Sequence, residues 1–163
     1  MMSPFGALEF ASTWAADRRE FDPGQPPGKR EEKIGAMKIT RVDVRRFGEP
    51  SGGDFEILVV DITADSGVRG RGYQMLFGSY GEYSAGLIDT RLGPCLIGED
   101  PRLTSWLWDR MYASMPRRGG DGMVRGAIAA LDMALWDLKA RATDVPVWKL
   151  LGNFRSAIPT YAN

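Results

Sequence analysis

The chain reads as an α+β domain, a three-stranded antiparallel meander followed by a helical bundle. Three observations predict it. Between Lys38 and Gln74, stretches rich in β-branched residues alternate with glycine-rich turns. Between Tyr80 and Leu151, apolar residues recur at helical spacing. No internal repeat interrupts this order of strands and then helices.

The strands come first. Lys38 to Phe47 sets Val42 and Val44 two residues apart, the period of a half-buried strand. Gly48 to Asp54, with Pro50 and Gly52-Gly53, is a loop. Phe55 to Thr63 (FEILVVDIT) is nearly continuously apolar between turns, which predicts a strand covered on both faces. Asp65-Ser66-Gly67 is a tight turn, and Val68 to Gln74 returns as a third strand bearing glycines.

Helices follow. Tyr80 to Leu92 carries Tyr83, Leu87, Ile88 and Leu92 at helical spacing and stops at Gly93-Pro94. A second helix is expected from Pro101, which suits the first helical position, with Asp100 as its cap. Leu103, Leu107 and Met111 mark its buried face beside Trp106, and Arg117 to Gly122 (RRGGDG) breaks it. The third helix, Met123 to Ala142, is the strongest element. Val124, Ala127, Ile128, Leu131, Leu135 and Leu138 line one stripe, and its alanines allow close packing. Pro146 to Leu151 is a short helix ended by Gly152, and Ala157 to Ala162 (AIPTYA) alternates like a further strand.

Composition narrows the function. The 163 residues suit one ordinary domain, and 44% hydrophobic with 26% charged residues suits a globular core. Twenty-one basic residues balance 21 acidic ones, which argues against a nucleic-acid partner. No apolar run approaches the roughly 18–20 residues of a membrane helix. Cys95 is the only cysteine, so no intramolecular disulfide forms; a cytoplasmic setting and a small buried hydrophobe at Cys95 are expected. Histidine is absent, which excludes Ser-His, Cys-His and His-metal chemistry.

Residues 1–36 differ from the rest. Asp22 to Gly28 is proline-rich, and Lys29 to Lys33 is a charge cluster, so the segment offers little apolar area to offset the entropy of ordering it. It reads as a flexible extension, with Met37 as the natural start. Asp132 and Asp137 are not a metal pair, since five residues on a helix set them about 140° apart. Asp132 is expected to bond a neighbouring element and Asp137 to be structural. Trp106, Trp108, Trp136 and Trp148 read as core and domain-interface packing.

Three stretches carry a family resemblance: Leu96 to Pro101 (LIGEDP), Ala127 to Ala140 (AIAALDMALWDLKA), and Val145 to Gly152 (VPVWKLLG) with Ile158 to Ala162 after it. Together they resemble the N-terminal capping domain of the mandelate racemase and muconate lactonizing branch of the enolase superfamily, from about Met37 to Asn163. The resemblance divides the chain into the extension 1–36, a capping domain 37–152, and a linker with the first strand of a truncated (β/α) barrel, 153–163.

What the resemblance implies is a Mg²⁺-dependent parent enzyme that removes the proton α to a carboxylate, foremost a sugar-acid dehydratase. A racemase, epimerase or cycloisomerase of the same superfamily is an alternative, as is a non-catalytic binding or dimerisation module. Metal ligands and acid/base residues would lie on later barrel strands. The chain by itself is therefore expected to hold no catalytic or metal residue and to catalyse nothing. Its partners would be an acid-sugar substrate, the missing barrel domain and, through the stripe of the third helix and the first barrel strand left exposed in the barrel's absence, further copies of itself.

The loops Gly48 to Asp54 and Met75 to Tyr80 correspond to those that fold over the bound acid in relatives. Asp54 matches a polar position that meets substrate in some dehydratases, with Phe47, Phe77 and Tyr80 as an apolar wall. Arg118, with Arg117, could receive a carboxylate in a bidentate way. Each has a plain structural alternative: a turn cap for Asp54, packing aromatics for Phe77 and Tyr80, a solvated turn for the arginines. One departure is Gly70-Arg-Gly-Tyr73, where many relatives end the strand in Gly-x-Gly-Glu.

Overall fold

Along the middle strand every second side chain is fully buried, and that alternation sets the architecture. The computed structural model describes residues 37–48, 54–78, 80–115, 122–155 and 157–161. Strands β1 (Ile39–Gly48), β2 (Phe55–Ala64) and β3 (Arg69–Phe77) form an antiparallel sheet in the order β1-β2-β3. Helices α1 (Gly81–Leu87), α2 (Thr104–Ala113), α3 (Met123–Thr143) and α4 (Val147–Leu150) follow. The α+β meander-then-helices order read from the sequence is the one observed.

Leu58, Val60, Ile62 and Ala64 of β2 are buried against the helices, whereas Phe55, Ile57, Val59 and Asp61 between them are only half-buried. The expectation that β2 is covered on both faces is thus corrected. The described helices pack on one face, and Phe47, Tyr73, Met75 and Phe77 stay half exposed or more on the other. The apolar run misled because Ile57 and Val59 are shielded by neighbours within the sheet, and no described element forms a second layer over them.

Long helix α3 lies directly on the sheet. A Cβ on Gly72 would stand 1.9 Å from the Ala130 carbonyl oxygen, and one on Gly70 would stand 2.1 Å from that of Ala134. Glycine on the strand and alanine on the helix therefore let the two backbones meet. The predicted stripe is buried at Ala127, Ile128, Leu131, Leu135 and Leu138 and half-buried at Val124. Asp137 ties the layers: its Oδ2 accepts the Arg71 backbone N–H at 2.9 Å and the Arg141 Nε–H at 2.9 Å. Asp132 makes no hydrogen bond or ion pair among the described residues, contrary to expectation, because it faces a cleft between α2 and α3.

Helix ends differ from the sequence reading. The segment expected as one helix from Tyr80 to Leu92 changes pitch at Ile88, giving a π-turn over Ile88–Leu92 and a 3₁₀ turn over Gly93–Cys95. Gly93 N–H donates back to the Ile88 carbonyl, just before Pro94, which has no N–H to give. Helix α2 begins at Thr104, three residues beyond Pro101. Asp100 does not cap it; its carboxylate accepts the Arg102 N–H at 2.9 Å and the Arg102 guanidinium, closing a local turn instead. The buried face of α2 is as expected, with Trp106, Leu107 and Met111 enclosed. Cys95 is only partly buried, its thiol donating to the Arg91 carbonyl.

Residues 157–161 are exposed and pair with no described strand. A strand exists through hydrogen bonds to a neighbour, and no described strand lies beside this segment. Among the described residues no helix is long and apolar enough to cross a membrane.

On the open face Asp61 sits between Arg45 (2.5 Å) and Arg71 (2.7 Å). The Arg71 guanidinium, then that of Arg45, holds its carboxyl below the usual aspartate range. A depressed acid stabilises the fold above the unfolded value, about pH 4, and loses that contribution as pH falls through the folded value. Stability is expected to decline with acidification below about pH 4, and Asp61→Asn to flatten that slope, in urea titrations at stepped pH.

Candidate functional site

The candidate residues that the structure describes gather at one end of the sheet, where β1 ends, β2 begins and β3 ends. Register places them there: Phe47 pairs with Ile57, and Phe55 pairs with Phe77. Two positions apart on β2, Ile57 and Phe55 share the open face, so Phe47 and Phe77 share it too. Phe55 and Phe77 pack with ring centroids 5.5 Å apart, tilted by 53°. The Arg45 guanidinium lies 6.0 Å from the Phe47 ring centroid.

Asp54 precedes β2, and its carbonyl oxygen accepts the Gly78 N–H at 2.6 Å. That bond joins the start of β2 to the residue after Phe77. Gly78 has φ +87°, which favours glycine, and the Tyr80 ring lies 3.0 Å from where its Cβ would stand. Tyr80 then precedes α1. Asp54, Phe77 and Tyr80 are consequently brought together, with Phe47 two strands away on the same rim. All four are exposed. Arg118 lies outside the described residues, as does most of the loop 48–54.

Beneath this rim is a carboxylate that the sequence reading passed over. Glu56 accepts from the Arg46 guanidinium at 2.8 Å and from the Gly81 backbone N–H at 2.6 Å. The Arg46 hydrogen bond, then the Gly81 N–H, pushes its carboxyl below the usual glutamate range, so it remains ionised. One side chain thus ties β1, β2 and the start of α1. The signal was present as the lone acid in the apolar run Phe55 to Val60. Phe55, absorbed into the strand reading, was missed as the ring between Phe47 and Phe77.

The rim offers aromatic surface, one uncommitted carboxylate and backbone polar groups, which suits contact with a polar organic ligand. Among its described residues no nucleophile has a base beside it. Among the described residues no group of three or more metal-ligating side chains comes together, so these residues do not fit a resident metal ion.

Comparison with known proteins places the chain. A sequence model described as "Mandelate racemase / muconate lactonizing enzyme, N-terminal domain" matches residues 50–152. A 3,6-anhydro-alpha-L-galactonate cycloisomerase of Streptomyces coelicolor is 36% identical over 109 residues, 67% of this chain and 30% of that protein. A D-galactonate dehydratase of Variovorax paradoxus is 37% identical over 116 residues, 71% of this chain and 28% of that protein. The crystal structure of a racemase from Streptomyces coelicolor A3(2) with bound magnesium superposes with a TM-score of 0.66 at 35% identity, covering 70% of this chain and 34% of that one. The chain thus spans about 30% of the length of these curated relatives.

Proposed function

Because the chain belongs to the mandelate racemase/muconate lactonizing enzyme family, through its N-terminal domain, we propose that it is the capping and substrate-specificity domain of a longer enzyme. That enzyme is a Mg²⁺-dependent, cytoplasmic member of the enolase superfamily that removes the proton α to a carboxylate. Its reaction is the dehydration of a sugar acid. Residues 37–152 form the cap, 153–163 lead into a (β/α) barrel, and 1–36 precede the domain.

The observation that carries this reading is the sheet-end rim on a domain spanning about 30% of relatives named for galactonate chemistry. Asp54 contacts the acid's hydroxyl groups, while Phe47, Phe77 and Tyr80 form its apolar wall; Arg118 meets a carboxylate. Covering the site in this way excludes water from the reacting carbon. The magnesium is held by barrel residues. Self-association belongs to the same reading; the α3 stripe expected to supply its surface is buried within the domain, and the open sheet face is what stays exposed. A cycloisomerase is the second reading, favoured by the 36% identity to the anhydrogalactonate enzyme.

Asp54→Ala in the extended enzyme is expected to raise KM by roughly tenfold, the scale of one charged hydrogen bond. Unfolding stability is expected to hold within about 0.5 kcal/mol, as at an exposed position. Steady-state kinetics beside urea titration check this. Unchanged kinetics with a fold destabilised by several kcal/mol would show that Asp54 caps a turn.

A further inference from the structure

Between α2 and α3 a separate set of residues lines an open cleft of about 270 Å³. Ser105, Trp108 and Asp109 line it from α2, and Asp132 and Trp136 from α3. Asp132 is the unusual member. Its side chain is half-buried and makes no hydrogen bond or ion pair among the described residues. Burial pushes its carboxyl above the usual aspartate range, as withdrawal from water without a partner does.

The arginines of these two helices are engaged elsewhere. Arg110 pairs with Glu99, Arg141 pairs with Asp137, and Arg125 lies 5.4 Å from the Tyr112 ring centroid. Lys139 stands over the Trp136 ring at 5.0 Å, so this indole already accepts a cation on part of its surface. Trp108 stacks on Tyr112 with centroids 5.3 Å apart and planes 14° apart, which holds its indole along the wall.

A carboxylate sharing a cleft with two indoles is the chemistry that recognises a guanidinium. The planar cation forks onto the carboxylate and lies against aromatic surface, which a compact ammonium does less well. Asp109 adds a second negative charge, and among the described residues no third ligating group makes the cluster a metal site.

We propose that the α2–α3 cleft receives an arginine side chain presented by the companion barrel domain, with Asp132 accepting the guanidinium between Trp108 and Trp136. The choice of occupant rests on the reading of this chain as one domain of a longer enzyme. The ligand chemistry of the cleft rests on the residues alone.

Butylguanidinium chloride is the probe, titrated into the chain and followed by indole fluorescence. Saturable binding is expected, with half-saturation on the order of millimolar concentrations for so small a ligand. Asp132→Asn, with its fold checked by circular dichroism, is expected to abolish saturation, and butylammonium to bind several-fold more weakly. No saturable response, or the same response in Asp132→Asn, overturns the site. In the extended enzyme the probe is expected not to bind, because the cleft is filled. There Asp132→Asn is expected to lower Tm, whereas in the isolated chain it leaves Tm unchanged or higher. Equal probe binding by the chain and by an active extended enzyme overturns the barrel arginine as occupant. Probe binding by the chain beside an extended form that lacks activity upholds the guanidinium site and counts against the proposed function.

Discussion

Gly72→Ala is expected to destabilise the domain by about 3 kcal/mol or more, because its methyl group would enter the backbone of α3. The added carbon would stand 1.9 Å from the Ala130 carbonyl oxygen and 2.8 Å from the Ala134 nitrogen, and neither is the end of a flexible side chain. Relief requires the helix to lift from β3, which loosens contacts along the whole interface. Overpacking of a tight core ordinarily costs about 1–3 kcal/mol, and a backbone obstacle lies at or beyond the upper end. Gly86→Ala is the comparator: its Cβ meets nothing within 4 Å and it sits inside α1. Removing that glycine's freedom in the unfolded chain should stabilise by about 0.5–1 kcal/mol. Urea midpoints of the two variants should move in opposite directions. Equal midpoints would mean that α3 does not rest on the strand as described.

Leu131→Ala is the second large effect. Leu131 is fully buried at the centre of the stripe on α3, within the cluster that includes Leu58, Val60 and Leu107. Loss of its branched end removes transfer energy and leaves a cavity, together about 2–5 kcal/mol. Met133→Ala, two residues along the same helix on its exposed side, should change stability by less than about 1 kcal/mol. Denaturant titration separates the two, and comparable losses would contradict the assigned face of α3.

How far the sequence led differs by element. Helix α3 was legible because its apolar stripe is long and regular, and its observed bounds, Met123–Thr143, exceed the reading by one residue. The meander was legible because glycine and aspartate turns separate β-branched runs. The start of α2 was misread because Pro101 and Asp100 fit a helix opening equally well, and only the Arg102 side chain decides where Asp100 is spent. The contact of Gly70 and Gly72 with the α3 backbone was out of reach, since glycine spacing does not say which helix approaches. Cover on the second face of β2 was over-read for a similar reason: an apolar run reports burial and not what does the burying.

The site was legible in position more than in chemistry. Phe47, Asp54, Phe77 and Tyr80 were selected through family resemblance, and the register brings them to one sheet end. Glu56 escaped notice because its partners, Arg46 and Gly81, lie 10 and 25 residues away along the chain. The Asp132 cleft escaped for the opposite reason. Divergence from Asp137 removed it as a metal ligand, and nothing in the sequence shows that it lacks a partner among the described residues.

The most direct measurement of the central claim is α-proton exchange. The chain and a form extended through a barrel would each be incubated in D₂O with Mg²⁺ and a panel of sugar acids, and deuterium at the carbon next to the carboxylate followed by NMR. Incorporation or elimination in the extended form alone, abolished by chelation of Mg²⁺, is expected of a cap whose chemistry lies in the barrel. Exchange catalysed by the chain alone, or none in a folded extended form that binds Mg²⁺, would contradict it.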